Sequence, residues 1–411
     1  MTTLATPPRR SFLSDVFSVA RTRAAVLVMN VASGVLVARL LGAEGKGLVA
    51  ALTVAPAMIL ILCELGVVHS AAFHIGKKSA SLDRVFGSLL MIGVVTTLFG
   101  VAICALYFKA TWLPAYNWAL VGLAIGTIPA AVFRSYASGV FLGTERIQLF
   151  NRASWIPPLT RLVLILALTG ALGFGAYGAI GAQLAAGVAM ALYAASLLRG
   201  LSSARPRFEW ETTRAIASLG VSFAISLFLM TMLYKINIVL LQRMNTLEEL
   251  GVYTVGANLA QYIWQIPAAM TAVVLSRGAN AADADAYTKK VLVLFRLTII
   301  VGVLGAGAIA LAGPILIPLV YGESFAPSAQ VLAAMLPGVT AFTVFKVLNL
   351  DLSARGRPGP AMAMAIPALA LNFALGALWI PKFGAVGAGW ASSVTYLAAA
   401  LLYLSLYCRA L

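Results

Sequence analysis

Acidic side chains are scarce in this chain. Thirteen Asp and Glu stand against 29 Lys and Arg in 411 residues, and charged residues of both signs make up only 10%. A soluble domain carries about 25% charged residues, so the polar surface such a domain needs is missing. Histidine occurs twice and cysteine three times. Cys63, Cys104 and Cys408 fall in or beside apolar runs, so no disulfide framework is expected and each reads as a small buried hydrophobe. His69 and His74 are five residues apart, off a common helix face, which argues against a metal site. There is no His/Cys cluster, phosphate-cradling Gly-rich loop or Ser/His/Asp grouping, and no enzymatic activity is expected.

Apolar length is what the chain has in abundance. Hydrophobic residues are 61% of the total, and the mean hydropathy is +0.95. A span of a ~30 Å hydrocarbon core takes about 20 apolar residues. Twelve such runs can be marked, near 24–42, 48–75, 85–107, 118–142, 153–173, 177–198, 216–242, 250–275, 291–312, 328–353, 359–380 and 385–407. The fold class is therefore all-α and polytopic: twelve transmembrane helices, six in each half. The first run lacks a clean cleavage site and reads as a retained helix.

The net charge of +16 is unevenly placed. Of the 29 Lys and Arg, 19 fall on the N-terminal side of the alternating loops, four on the other side and six within runs. By the positive-inside rule both termini are cytoplasmic, and the charge is a topology signal that removes the case for nucleic acid. Loops are short throughout. The expected organisation is a cytoplasmic N-terminus (1–23), a six-helix lobe (24–198), a cytoplasmic inter-lobe loop (199–214) and a second six-helix lobe (215–408).

The two halves repeat one another. FGAYGAIGAQ at 174–183 matches FGAVGAGWAS at 383–392; Arg39 precedes Gly47 by eight residues as Arg243 precedes Gly251; Val-Phe-Arg at 132–134 matches Val-Phe-Lys at 344–346. The offsets are 209, 204 and 212. Six spans per half leave the halves in one orientation, and transport proteins built from such repeats carry cargo at the repeat interface.

Within the runs, cations outnumber anions. Helix rise places Arg134, Arg161 and Lys346 ~14 Å from the cytoplasmic end, Arg296 ~9 Å from it, and Lys235 ~12 Å from the opposite end. Charges at such depth face a polar cavity or snorkel to the interface. Snorkelling is at least as good an account of Arg296 as a cavity, whereas depth favours a cavity for the other four. Several cations with few anions suit phosphate or pyrophosphate. Glu64 could bind a coupling proton or sodium ion, or pair with a cavity Arg; Asp351 is expected to pair with Arg355. Asn30, Asn237, Asn258, Gln261 and Asn372 are read as hydrogen-bonding helix to helix, with cavity lining open to Asn30, Asn237 and Asn372. Pro56, Pro129, Pro267 and Pro337 are expected to kink their spans.

Motifs along the chain carry a resemblance. ARLLGAEGKGL at 38–48, CELGVVHSAAFHIGKK at 63–78, YKINIVLLQRMNTLEELGVYTVGANLAQ at 234–261, YGESFAPSAQVL at 321–332, ARGRPGP at 354–360 and IPKFGAVGAG at 380–389 resemble the polysaccharide flippases of the multidrug/oligosaccharidyl-lipid/polysaccharide (MOP) exporter superfamily. The resemblance implies a V-shaped bundle of two six-helix lobes in the bacterial inner membrane. Alternating access would carry an undecaprenyl-diphosphate-linked oligosaccharide across it. The cationic cavity would take the pyrophosphate and sugar, with Arg134, Arg161, Lys235 and Lys346 as its cations. Members of the family often have an acidic residue in the seventh span where this chain has Asn237, which makes Glu64 the better candidate for ion coupling. No cofactor is implied. A polysaccharide polymerase and export proteins are the implied protein partners, beside the lipid bilayer. The alternative is a multidrug or cation antiporter of the same superfamily. A membrane glycosyltransferase or polymerase would need large periplasmic loops that are missing.

Overall fold

A computed structural model describes residues 12–76, 81–201, 207–265, 284–354 and 359–410. All regular structure among them is helical. In chain order the helices are α1 (Phe12–Glu64), α2 (Val67–Gly76), α3 (Leu82–Ala110), α4 (Trp118–Gly143), α5 (Ile147–Leu164, extended by a π turn at Ile165–Ala171) and α6 (Gly175–Leu201). They continue with α7 (Trp210–Met244), α8 (Leu247–Gln261, followed by a 3-10 turn at Tyr262–Trp264), α9 (Ala284–Tyr321), α10 (Ser328–Ala354) and α11 (Gly359–Ala410).

Nine stretches among the described residues are long and apolar enough to cross a membrane, fewer than the twelve expected. Two of them, Arg21–Glu64 and Gly359–Arg409, run for 44 and 51 residues. At 1.5 Å per residue each is about twice as long as a ~30 Å core is thick. Each is interrupted by a glycine in a left-handed conformation, Gly42 (φ 68°) and Gly384 (φ 54°), so each is two arms joined at a bend. The expected span at 250–275 begins as α8 and the 3-10 turn after it, and residues 266–275, with Pro267, lie outside the described residues. Pro56, Pro129 and Pro337 lie inside α1, α4 and α10, away from these two glycine breaks.

The chain packs as two compact units. One comprises Met1–Leu40 and Leu52–Phe228, the other Leu41–Ala51 and Leu229–Leu411. In the first unit α4 is the central helix, packed against α2, α3, α5 and α6. Asn117 caps it, accepting from the Leu120 N–H at 2.9 Å. Its C-terminal half carries Gly139 and Gly143, where a methyl group would press on the backbone of Val68 and Ala72 in α2. The start of α7 is tied to α3 by the Arg207 N–H to the Asp83 carbonyl (3.1 Å), the Arg84–Glu209 ion pair (2.8 Å) and the Thr213 hydroxyl to Ser88 (2.8 Å).

In the second unit α10 packs on α8, α9 and α11. The repeat is visible in its detail. Gly47 and Gly251 cross so closely that a methyl on Gly47 would overlap the Leu247 carbonyl and one on Gly251 the Ala43 carbonyl. Both contacts follow the offset of 204: Ala43 maps to Leu247 and Gly47 to Gly251, so the crossing is its own image under the repeat. The glycine pair at offset 209, Gly175 and Gly384, shares a left-handed φ of 55° and 54°, one on each unit. At Gly384 the helix restarts with the Glu249 carboxylate accepting from the Ala385 N–H at 2.6 Å.

The exterior is apolar. Leu311 is 82% exposed, Ile315 72% and Phe99 69%. A surface of this kind is stable against hydrocarbon, not water.

Candidate functional site

The first unit holds a polar cavity of about 330 Å³. It is lined by Asn30 and Pro56 of α1, Thr127 and Arg134 of α4, Ser154, Pro157, Pro158 and Arg161 of α5, and Gln183 of α6. Three of the sequence-predicted site residues thus meet in one place: Arg134, Arg161 and Asn30. An Arg161 Nη2–H donates to Asn30 Oδ1 at 2.9 Å, which anchors one edge of the guanidinium. The paired prolines of α5 cannot donate to the carbonyls of Ala153 and Ser154, so helical bonding is thinned where the helix faces the cavity. No carboxylate belongs to the lining, and two guanidiniums in low-dielectric surroundings have the chemistry to hold an anion.

Glu64 stands behind Arg134. The expected run at 48–75 is broken just after it: Glu64 is the last residue of α1, and Leu65 (φ 46°) and Gly66 (φ 57°) turn the chain before α2 begins. The charge of Arg134 acts on its carboxylate, and the Ser135 hydroxyl hydrogen-bonds to it. Gly220 closes over this turn, so near the Leu65 carbonyl that no side chain fits. The opposite face of α4 is apolar: Val132, Phe133 and Tyr136 line a second cavity of about 280 Å³ with Leu90 and Val94 of α3. One helix therefore separates a cationic chamber from a hydrocarbon-lined one.

Lys346, the repeat mate of Arg134, lies in the second unit and in different surroundings. Its ammonium donates to the Tyr234 hydroxyl at 2.7 Å and sits 4.7 Å from the ring centroids of Tyr234 and Trp264 and 5.9 Å from that of Phe342. Tyr396 completes the wall, 5.6 Å from Trp264 and 5.2 Å from Phe342. Lys235 follows Tyr234 on α7 and is half-buried; Arg296 is exposed near the start of α9, outside both sites.

Asn237 and Asn372 close on each other. Both are fully buried, and the Asn237 amide donates to Asn372 Oδ1 (3.0 Å), the Ala388 carbonyl (3.2 Å) and Ser392 Oγ (2.8 Å). Asn372 in turn donates to the Leu233 carbonyl at 3.1 Å. They tie α7 to α11 by the helix-to-helix hydrogen bonding expected of them, and neither is among the residues that line the two cavities of the first unit. The side chain of Asp351 is outside the described residues.

Residues 22–276 match the family described as polysaccharide biosynthesis protein, well over half of the chain. The chain belongs to that family. No curated protein sequence matches it. Among solved structures, this chain is similar to the lipid II flippase MurJ in an inward closed conformation (13% identity, TM-score 0.76, covering 96% of this chain and 87% of that one). It is also similar to a multidrug resistance MATE family transporter of the MOP superfamily in an inward-facing conformation (17%, TM-score 0.74, 96% and 98%). A third is a MOP superfamily transporter from Pyrococcus furiosus (14%, TM-score 0.66, 96% and 94%). The fold is accordingly that of the MOP exporters, and the protein is a multi-pass membrane protein.

Several site residues carried no sequence signal. Thr127 and Ser154 are ordinary in a membrane helix, and the ring of aromatics around Lys346 comes from four separate elements. Gln183 ends the repeated FGAYGAIGAQ motif and could have been singled out there. Tyr234 is the neighbour of the Lys235 that charge alone picks out.

Proposed function

We propose that this protein is a flippase of the bacterial inner membrane that moves an undecaprenyl-diphosphate-linked oligosaccharide between leaflets by alternating access, across twelve spans with both termini cytoplasmic. The observation that carries the reading is the chamber in the first unit: Arg134 and Arg161 share it, Arg161 is held by Asn30, and its wall has no carboxylate. Two guanidiniums match the bidentate oxygens of a diphosphate, while Thr127, Ser154 and Gln183 offer the neutral donors and acceptors that sugar hydroxyls use. Charge development is not required of the site; the cargo leaves chemically unchanged, and the task is to replace its hydration.

Glu64 supplies the coupling. It shares Arg134 with the incoming phosphate, so cargo and carboxylate compete for one guanidinium. A proton or sodium ion on Glu64 relieves that competition, and ion movement down its gradient is thereby linked to cargo binding. The family membership supports a role in polysaccharide assembly, in which a polymerase and export proteins act on the flipped unit. Cation antiport, the alternative, needs acidic residues in the chamber to attract its substrate.

Arg134→Ala and Arg161→Ala should each abolish cell-surface polysaccharide while leaving membrane insertion intact. In purified protein each should weaken binding of a polyprenyl-diphosphate sugar, without affecting the uncharged polyprenol. Full export by both single variants and by the double variant would refute the assignment.

A further inference from the structure

The ring of aromatics in the second unit has the form of an ammonium receptor. Tyr234 from α7, Trp264 from the 3-10 turn, Phe342 from α10 and Tyr396 from α11 stand with centroids 5.0–6.3 Å apart. The Trp264 indole N–H donates to the Val339 carbonyl at 2.9 Å, so the largest face of the cage is locked in orientation. Phe342 and Tyr396 are fully buried and Trp264 is 8% exposed, while Tyr234 and Lys346 are half-buried and form the open side. Faces of desolvated aromatic rings attract an organic cation through their quadrupoles, and cages of this composition recognise alkylammonium groups. Here the cation that lies over the cluster is the chain's own Lys346, met by the faces of Tyr234, Trp264 and Phe342 and by one phenol oxygen, with Tyr396 packed behind them. Among the described residues no carboxylate touches it.

We propose that the Tyr234–Trp264–Phe342–Tyr396 cage is an organic-ammonium binding site held shut by Lys346, which makes Lys346 the residue that excludes cationic amphiphiles from this protein. The inference rests on the anionic-cargo reading and sharpens it. The clustered ring faces are receptive to a cation, and one covalently supplied ammonium occupies them at an effective concentration free amines do not match. Neutralising Lys346 by shortening it removes the occupant and leaves the receptor. Each desolvated ring face contributes on the order of ten-fold or more in affinity for a quaternary ammonium.

The test is equilibrium binding of radiolabelled tetramethylammonium to the purified full chain. Lys346→Ala should bind it saturably. The wild type and Lys346→Met, whose neutral side chain refills the cage, should bind at least ten-fold more weakly, as should the double variant Lys346→Ala/Trp264→Leu. Equal binding by wild type and Lys346→Ala, or by Lys346→Met and Lys346→Ala, overturns the proposal. If Lys346→Ala is monodisperse only with tetramethylammonium present, that is the expected binding seen as stabilisation. If it is monodisperse in neither condition, acetylation of Lys346 is compared in the wild type and Trp264→Leu by peptide mass spectrometry. Labelling should rise at least several-fold as the cage opens, and unchanged labelling overturns the proposal. The flippase reading fails separately: wild type that does not bind a polyprenyl-diphosphate sugar refutes it whatever the ammonium result.

Discussion

Replacing Asn237 with Ala measures how much of the second unit depends on one buried amide. The Asn237 amide has two hydrogens and three acceptors around it, at 2.8, 3.0 and 3.2 Å. Ser392 can turn toward the Tyr253 hydroxyl, 3.3 Å away, once the amide is gone. The Ala388 carbonyl keeps its backbone bond within the helix, whereas Asn372 Oδ1 has no such recourse. In a membrane bundle each interhelical hydrogen bond is worth about 0.6 kcal/mol on average and up to about 1.7. One stranded acceptor therefore costs about 1–2 kcal/mol, and the void left by the amide adds roughly 1 kcal/mol. The expected loss is about 2–3 kcal/mol. Unfolding by SDS titration in mixed micelles, followed by tryptophan emission, gives the free energy. A double-mutant cycle with Asn372→Ala should show coupling of about 1 kcal/mol, because Asn372 meets the same amide. A change under about 0.5 kcal/mol, or no coupling, would refute the claim that this knot holds α7 to α11.

Other substitutions probe the backbone. Gly47→Val and Gly251→Val each drive a side chain into a carbonyl oxygen with no flexible group to give way, so both should fail to yield monodisperse protein, read by fluorescence size exclusion. Gly175→Ala and Gly384→Ala should cost about 1–2 kcal/mol for the left-handed φ, and Gly384→Ala somewhat more because Glu249 lies against it. Arg84→Ala removes an ion pair whose side chains are 53% and 32% exposed, so its effect on SDS unfolding should stay below about 1 kcal/mol. Maleimide should label Cys408 readily and Cys63 and Cys104 only after unfolding, since the first is exposed and the other two are buried.

Much of this protein is determined by its sequence alone. The class follows from apolar length, because no folded arrangement in water could cover it. The duplication follows from three ordered matches, two of which reappear as shared geometry at Gly47/Gly251 and Gly175/Gly384. Arg134 and Arg161 are conspicuous as charges far from any loop, and a charge that deep has to be accommodated somehow. The breaks at Gly42 and Gly384 carried no such signal, since a left-handed glycine looks like any other in a sequence.

The tertiary structure alone decided what each deep polar group faces. Helical register gives depth but not azimuth. Arg134 and Lys346 have the same sequence context and depth, yet one lines a chamber with Arg161 and Asn30 while the other is enclosed by rings from four elements. Asn30 and Asn237 are equally polar, yet one anchors an arginine at a cavity and the other is sealed in a knot. That difference is set by which helices pack on which faces. Packing depends on residues brought together from segments over a hundred positions apart, and no local pattern in the chain encodes it.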